Sequence, residues 1–191
     1  MATVRDGDKA VLLVVDVQVG VMNECWEAPR VMANVVRTVE RAREQGVPVI
    51  WVQHADEQLP RGSAEWQWVP ALQPRASEAQ IHKQFNSAFE GTALETTLEG
   101  LAATHIVLAG AATNWCIRAT AYAALERGYD LTLVQDAHTT GSMDFGDGAR
   151  IEASAVVDEL NVAMRWLRYP GRTNRVMAVD EVEFRLAAPT T

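Results

Sequence analysis

The run Ala10, Val11, Leu12, Leu13, Val14 and Val15 has no polar interruption, and Asp16 closes it. A strand with one wet face alternates polar and apolar residues, so a run that is apolar throughout reads as a strand buried on both faces. Such a strand belongs at the centre of a sheet with helices on either side. The rest of the chain repeats the alternation this requires. Residues 29–45 read as a helix, with Pro29 near the first turn and Gly46 as a stop. Short apolar runs at 47–53, 78–82, 105–110, 129–135 and 175–179 read as further strands. Thr92 and Glu95 have the spacing of a capping box, which predicts a helix from there to about Gly100. Residues 116–127 read as a helix, and so does a segment that starts at an Asp147 cap and ends near Leu167. Strand–helix alternation predicts right-handed crossovers and an open, doubly wound α/β sheet within one domain spanning residues 1–191.

In such sheets, ligands bind beyond the carboxyl ends of the strands. Asp16 ends the first strand, Lys83 follows the third, and Cys116 lies just past the fourth. Three chemically active side chains therefore fall on one rim. A thiol at a helix N-terminus feels the positive end of the peptide dipoles, which predicts a thiolate and hence a nucleophile. The alternative is a buried structural cysteine. The residue types favour chemistry. The positions predict a nucleophile at Cys116, with the Asp16 carboxyl and the Lys83 cation on the same rim.

Composition sets outer limits. A net charge of −8 argues against nucleic acid or an anionic membrane surface as a partner. Cys25 and Cys116 are too few for a disulfide framework, and neither has a Cys-x-x-Cys neighbour. The first eight residues hold no apolar signal-like run, and no segment has the roughly 18 apolar residues of a membrane span. The expectation is a reducing cytoplasm, with Cys116 a free thiol.

Three ordered segments resemble the isochorismatase-like cysteine hydrolases, the superfamily that includes nicotinamidases, N-carbamoylsarcosine amidohydrolase and ureidoacrylate amidohydrolase. They are Leu12 to Gln18; Lys83 to Phe89, with Thr92 and Leu94 after it; and Gly110 to Ile117. The resemblance runs from about Ala10 to about Val182. It implies a three-layer αβα, Rossmann-like fold with a six-stranded parallel sheet in the order 3-2-1-4-5-6. It also implies a catalytic triad of Asp16, Lys83 and Cys116, and a non-proline cis peptide between Ala111 and Ala112. That turn would aim the N–H groups of Ala112 and Cys116 at one point, as an oxyanion hole. The implied activity is hydrolysis of a C–N bond in a small amide, ureido compound or lactam through a thioester acyl-enzyme. The implied assembly is a homodimer or homotetramer. In that strand order, the third strand is two places from the first, about 10 Å away, so Lys83 must lean inward to reach Asp16.

Metal-dependent nicotinamidases carry an Asp-x-His and a further His after the second strand. This chain has His54, Ala55 and Asp56, with no second His before His82. No metal and no cofactor are therefore expected. Gln18, two residues past Asp16, points to the same side of an extended chain and is a candidate substrate contact, as is His54. Trp66 and Trp68, in the long segment 54–78, could wall the substrate site or fill an interface, and Trp115 could line the pocket. His138 reads as a structural residue or an indirect support of the site. Two other readings remain open. One is isochorismate-type vinyl ether hydrolysis, which Cys116 counts against. The other is a binding protein with a vestigial site.

Overall fold

The computed structural model describes Ala2 and residues 5–184; the two ends of the expected 1–191 unit lie outside the described residues. Strands β1 (Lys9–Val15), β2 (Val49–His54), β3 (Ala79–Lys83), β4 (Ala103–Ala111) and β5 (Asp130–Thr139) are interleaved with helices α1 (Val19–Met22) and α2 (Ala28–Glu44) after β1, α3 (Leu94–Gly100) after β3 and α4 (Arg118–Glu126) after β4, while β2 leads to β3 through a long loop with no helix. A small antiparallel hairpin, β6 (Met143–Asp144) with β7 (Arg150–Ile151), precedes α5 (Ala153–Trp166) and the edge strand β8 (Asn174–Met177). The main sheet is parallel throughout, in the order β3-β2-β1-β4-β5-β8. This is the expected order 3-2-1-4-5-6, because the sixth sheet strand is the eighth strand in the chain.

The unbroken apolar run explains the layering. On β1, Val11, Leu13 and Val15 point to one face, where they pack with Ile50, Val52, Ile106 and Leu108. Leu94 and Leu98 of α3, Leu125 of α4 and Leu160 of α5 cover that face. Ala10, Leu12 and Val14 point to the other face, against Trp51, Val107 and Ala109, beneath Val31, Val35 and Val39 of α2. Successive residues of one strand thus feed two separate cores, which only a strand dry on both sides can do.

Three helix starts depart from expectation. The fourth helix does not begin at Cys116. A π-helical turn, Thr113–Ile117, carries the cysteine, and α4 starts after it. The capping box does not close. The Thr92 hydroxyl donates to the Ala88 carbonyl and accepts from the Leu94 amide, α3 begins at Leu94, and Glu95 instead faces Arg5 and Arg127. The last helix begins at Ala153, not at Asp147. Asp147 accepts from the Ala149 amide in the hairpin turn, while the Ser142 hydroxyl, eleven residues upstream, caps the Ala153 amide at 3.0 Å. A side chain brought in by the tertiary fold thus takes the cap position that the sequence offered to Asp147.

Two histidines sit inside this frame as neutral rings. His105 shares a hydrogen bond with Thr132 at 2.8 Å, and His138 lies between Thr113 and Asn161. Burial pulls each down to about 4 from the ordinary 6.5. The unfolded chain therefore binds these protons first. Their contribution to stability is complete above pH 6.5 and is lost as pH falls toward 4, about 3 kcal/mol per histidine across the full window. Denaturant unfolding at a series of pH values should show stability dropping below pH 6.5. His105→Gln should flatten part of that drop.

Candidate active site

The carboxyl ends of four neighbouring strands, β3, β2, β1 and β4, each deliver one polar group to the same rim. Asp16 follows β1 directly, with its amide bonded to the Val52 carbonyl at 2.9 Å. Its φ of 51° is left-handed, a conformation that Asp tolerates better than most residues, and it ends the strand abruptly. Lys83 is the last residue of β3, and His54 is the last residue of β2; the two are register partners. Cys116 comes from the π-helical turn after β4. The peptide between Ala111 and Ala112 is cis, and the amides of Trp115 and Ile117 both bond to the Ala112 carbonyl, on either side of the Cys116 amide.

Gly110 makes this convergence sterically possible. It pairs with Val15 across β1 and β4 at a φ of 129°, and a Cβ there would overlap the Val15 carbonyl oxygen. Only glycine lets the two backbones close at the point where Asp16 and the nucleophile turn leave the sheet.

The resulting cluster is tight. Lys83 Nζ lies 2.6 Å from Asp16 Oδ2 and 3.2 Å from Cys116 Sγ, and the lysine side chain is 0% exposed. The lysine stem leans inward across the end of β2 to meet the group at the end of β1. Among the described residues, no backbone amide or hydroxyl reaches either Asp16 oxygen; only the ammonium and the thiol face the carboxylate. Burial pushes the Asp16 carboxyl up, and the Lys83 ammonium offsets this only in part. Burial, followed by the charge of Asp16, pushes the Cys116 thiol up to about 12. The expected standing thiolate is therefore corrected. Burial leaves the sulfur protonated at neutral pH, beside the paired Asp16 and Lys83 side chains. The cysteine is 8% exposed, and desolvation outweighs any field from a five-residue turn. A carboxylate raised in this way is a stronger acceptor for the thiol proton.

The other candidate residues fall into place unevenly. Gln18 is not a substrate contact. Its amide donates to the carbonyls of His54 and Trp66 at 3.0 and 2.9 Å and accepts the His54 amide at 2.9 Å. The left-handed turn at Asp16 breaks the alternation that put Gln18 on the same side. Trp68 is a core residue, edge-on to Trp51 with ring centroids 5.2 Å apart, and so does not wall a pocket. Trp66 packs on His82, which leaves β3 on the face opposite Lys83. Trp115 is 55% exposed beside the nucleophile. His54 meets both Lys83 and Asp56. His138 supports the nucleophile turn from within, with Nδ1 on Thr113 and Nε2 on Asn161. Cys25, whose thiol bonds to the Val21 carbonyl, stands apart from this cluster.

A surface recess of about 460 Å³, lined by Ala55, Asp56, Glu57, Arg61 and Gln84, opens at this rim. A larger one of about 520 Å³, around Arg43, Pro48, Ala79 and Leu101, lies at the amino ends of β2 and β3, the opposite end of the sheet from Cys116. Among the described residues, no group of three His, Cys, Asp or Glu side chains could hold a metal ion, and no helix is long and apolar enough to cross a membrane. Sequence reasoning passed over Asp56 as a member of the site and Asn161 as its support. The His-x-Asp spacing at 54–56 was a usable signal for the first. Nothing local marks the second, which arrives from α5.

Fold and site together define a class: a three-layer αβα protein with a thiol, a carboxylate and an ammonium in contact at the carboxyl end of a parallel sheet. The family model of the isochorismatase domain matches residues 10–159, and the chain belongs to that family. It is 31% identical to a streptothricin hydrolase of Streptomyces noursei over 139 residues, covering 68% of this chain and 54% of that one. It is 33% identical to a maleamate amidohydrolase of Pseudomonas putida over 89 residues, 46% of this chain and 42% of that one. The chain thus spans about half or less of the length of these two relatives. A crystal structure of an isochorismatase from Pseudomonas putida KT2440 superimposes with a TM-score of 0.80 at 26% identity, covering 92% of this chain and 90% of that one.

Gly110→Ala tests the closure of the rim. The added methyl must push the Val15 backbone away, which should cost at least about 3 kcal/mol of stability. Any folded fraction should show Cys116 alkylated at a changed rate. A variant with unaltered melting temperature and unaltered Cys116 reactivity would contradict the close approach.

Proposed function

We propose that this protein is a metal-independent cysteine hydrolase that cleaves the C–N bond of a small amide, ureido compound or lactam. One observation carries the reading: a buried thiol and a buried carboxylate share one ammonium, at 3.2 and 2.6 Å. The names of the streptothricin hydrolase and the maleamate amidohydrolase support a hydrolase, and the second supports an amide substrate.

The steps follow from the charges. As the substrate carbonyl approaches, the Cys116 proton passes to Asp16, and the sulfur forms a bond to the carbonyl carbon. The C=O electron pair moves onto oxygen, and the N–H groups of Ala112 and Cys116 are assigned to that oxyanion. Asp16 then gives its proton to the nitrogen, the C–N bond breaks, and the amine leaves a thioester on Cys116. Water attacks the thioester carbon while Asp16 takes a water proton. Collapse releases the acid and returns the proton to sulfur. Lys83 stays charged throughout. It stabilises the Asp16 carboxylate before the proton transfer and the sulfur as its proton leaves, while in the tetrahedral intermediate the negative charge rests on the substrate oxygen. Isochorismate-type chemistry needs no thiol and leaves Cys116 without a role.

Cys116→Ala should abolish ammonia release from a panel of amides and ureides, by at least about a thousandfold, together with the acyl adduct seen by intact mass. Asp16→Asn should lose about as much, because the two act as a unit. In the wild type, kcat/KM should rise with pH with a slope near one, through a midpoint above the ordinary carboxylate value of 3.8, because the base must be ionised and its pKa is raised. Full turnover in Cys116→Ala would end the reading.

A further inference from the structure

The Lys83 ammonium has three N–H bonds to place and no solvent to receive them. Asp16 Oδ2 and Cys116 Sγ take two. The third points to His54 Nδ1, at 3.3 Å. A ring nitrogen can accept only while it carries a lone pair, so the proton of a neutral His54 must sit on Nε2. Nε2 lies 2.9 Å from Asp56 Oδ2. The other Asp56 oxygen accepts the amides of Gln58 and Leu59 at 2.9 and 2.7 Å. The hydrogen bond from His54, with help from those two amides, holds the Asp56 carboxyl below its usual range, so it is an acceptor only. The His54 backbone is pinned at both its N–H and its C=O by the Gln18 amide.

We propose that Asp56 and His54 form a positioning dyad for Lys83: Asp56 fixes the Nε2–H tautomer of His54, whose Nδ1 lone pair then holds the ammonium between Asp16 and Cys116. The topology gives the dyad its purpose. Lys83 enters from β3 and must pass over the end of β2, where His54 stands, before reaching β1. An imidazole there catches the ammonium in passing and removes the freedom of a four-carbon stem. A simple turn-capping role for Asp56 is already fulfilled by Oδ1 and leaves the Oδ2 contact unexplained. Only the predicted effect on turnover rests on the hydrolase reading; the tautomer and the lysine contact do not.

Asp56→Asn discriminates between the two roles. Its carbonyl oxygen can still serve Gln58 and Leu59, but its amide would donate to Nε2, drive the ring proton to Nδ1 and turn an N–H toward the ammonium. Imidazole nitrogen NMR of the wild type should show His54 protonated at Nε2 and bare at Nδ1, and Asp56→Asn should reverse this. Site-resolved alkylation by iodoacetamide, with Cys25 as internal reference, should slow about tenfold at Cys116 in Asp56→Asn and in His54→Phe. His54→Asn, whose carbonyl oxygen can stand near the place of Nδ1, should recover part of the rate that His54→Phe loses. On any substrate found, kcat should fall about tenfold in Asp56→Asn with KM nearly unchanged. Protonation at Nδ1 in the wild type, or a folded Asp56→Asn with unchanged tautomer and alkylation rate, would overturn the dyad. If the NMR and alkylation results hold while no amide is turned over, the dyad stands and the hydrolase reading falls.

Discussion

The reach of one buried ammonium across the end of a neighbouring strand is the constraint on which this site depends. Lys83 starts two strand spacings from Asp16, roughly 10 Å away, yet its Nζ lies 2.6 Å from the carboxylate. An ammonium with no exposed surface must be surrounded by acceptors, and removing one partner of a buried pair strands the charge of the other. The strand ends therefore have to supply those acceptors together. β1 supplies the carboxylate, β2 the imidazole, and the turn after β4 the sulfur. The sheet order places these strands side by side, and Gly110 lets β1 and β4 close at the point of need.

That crowding also sets the electrostatics. Local reasoning about a thiol at the start of a helix favours a standing thiolate. Burial and the adjacent Asp16 charge act in the opposite direction and are larger, so the sulfur keeps its proton at rest. The same burial makes Asp16 a better acceptor. The two shifts complement each other: the nucleophile forms when substrate arrives, by a short proton transfer inside a dry site, and little anionic sulfur is present to react beforehand.

Much of this was readable from the chain. The apolar run at 10–15 gave the central strand, and the positions of Asp16, Lys83 and Cys116 at or just past strand ends gave the rim. The failures share a cause. Asp147 and the Thr92–Glu95 pair carry good local capping signals, but Ser142 from a distant turn and Arg5 from the N-terminal segment supply other partners. Gln18 was placed by strict alternation, which Asp16 interrupts with a left-handed residue. Trp68 looked like a loop tryptophan, yet an antiparallel bridge to Gln18 draws it onto Trp51 in the core.

The sequence by itself determined the layer architecture and the identity of the reactive groups, because burial on both faces and the ends of strands are local, periodic properties of the chain. Tertiary structure alone decided the protonation of the sulfur, the partners of His54, and which tryptophans are core. Each of these depends on distances between residues far apart in sequence, and on how much water is left between them once the sheet has closed.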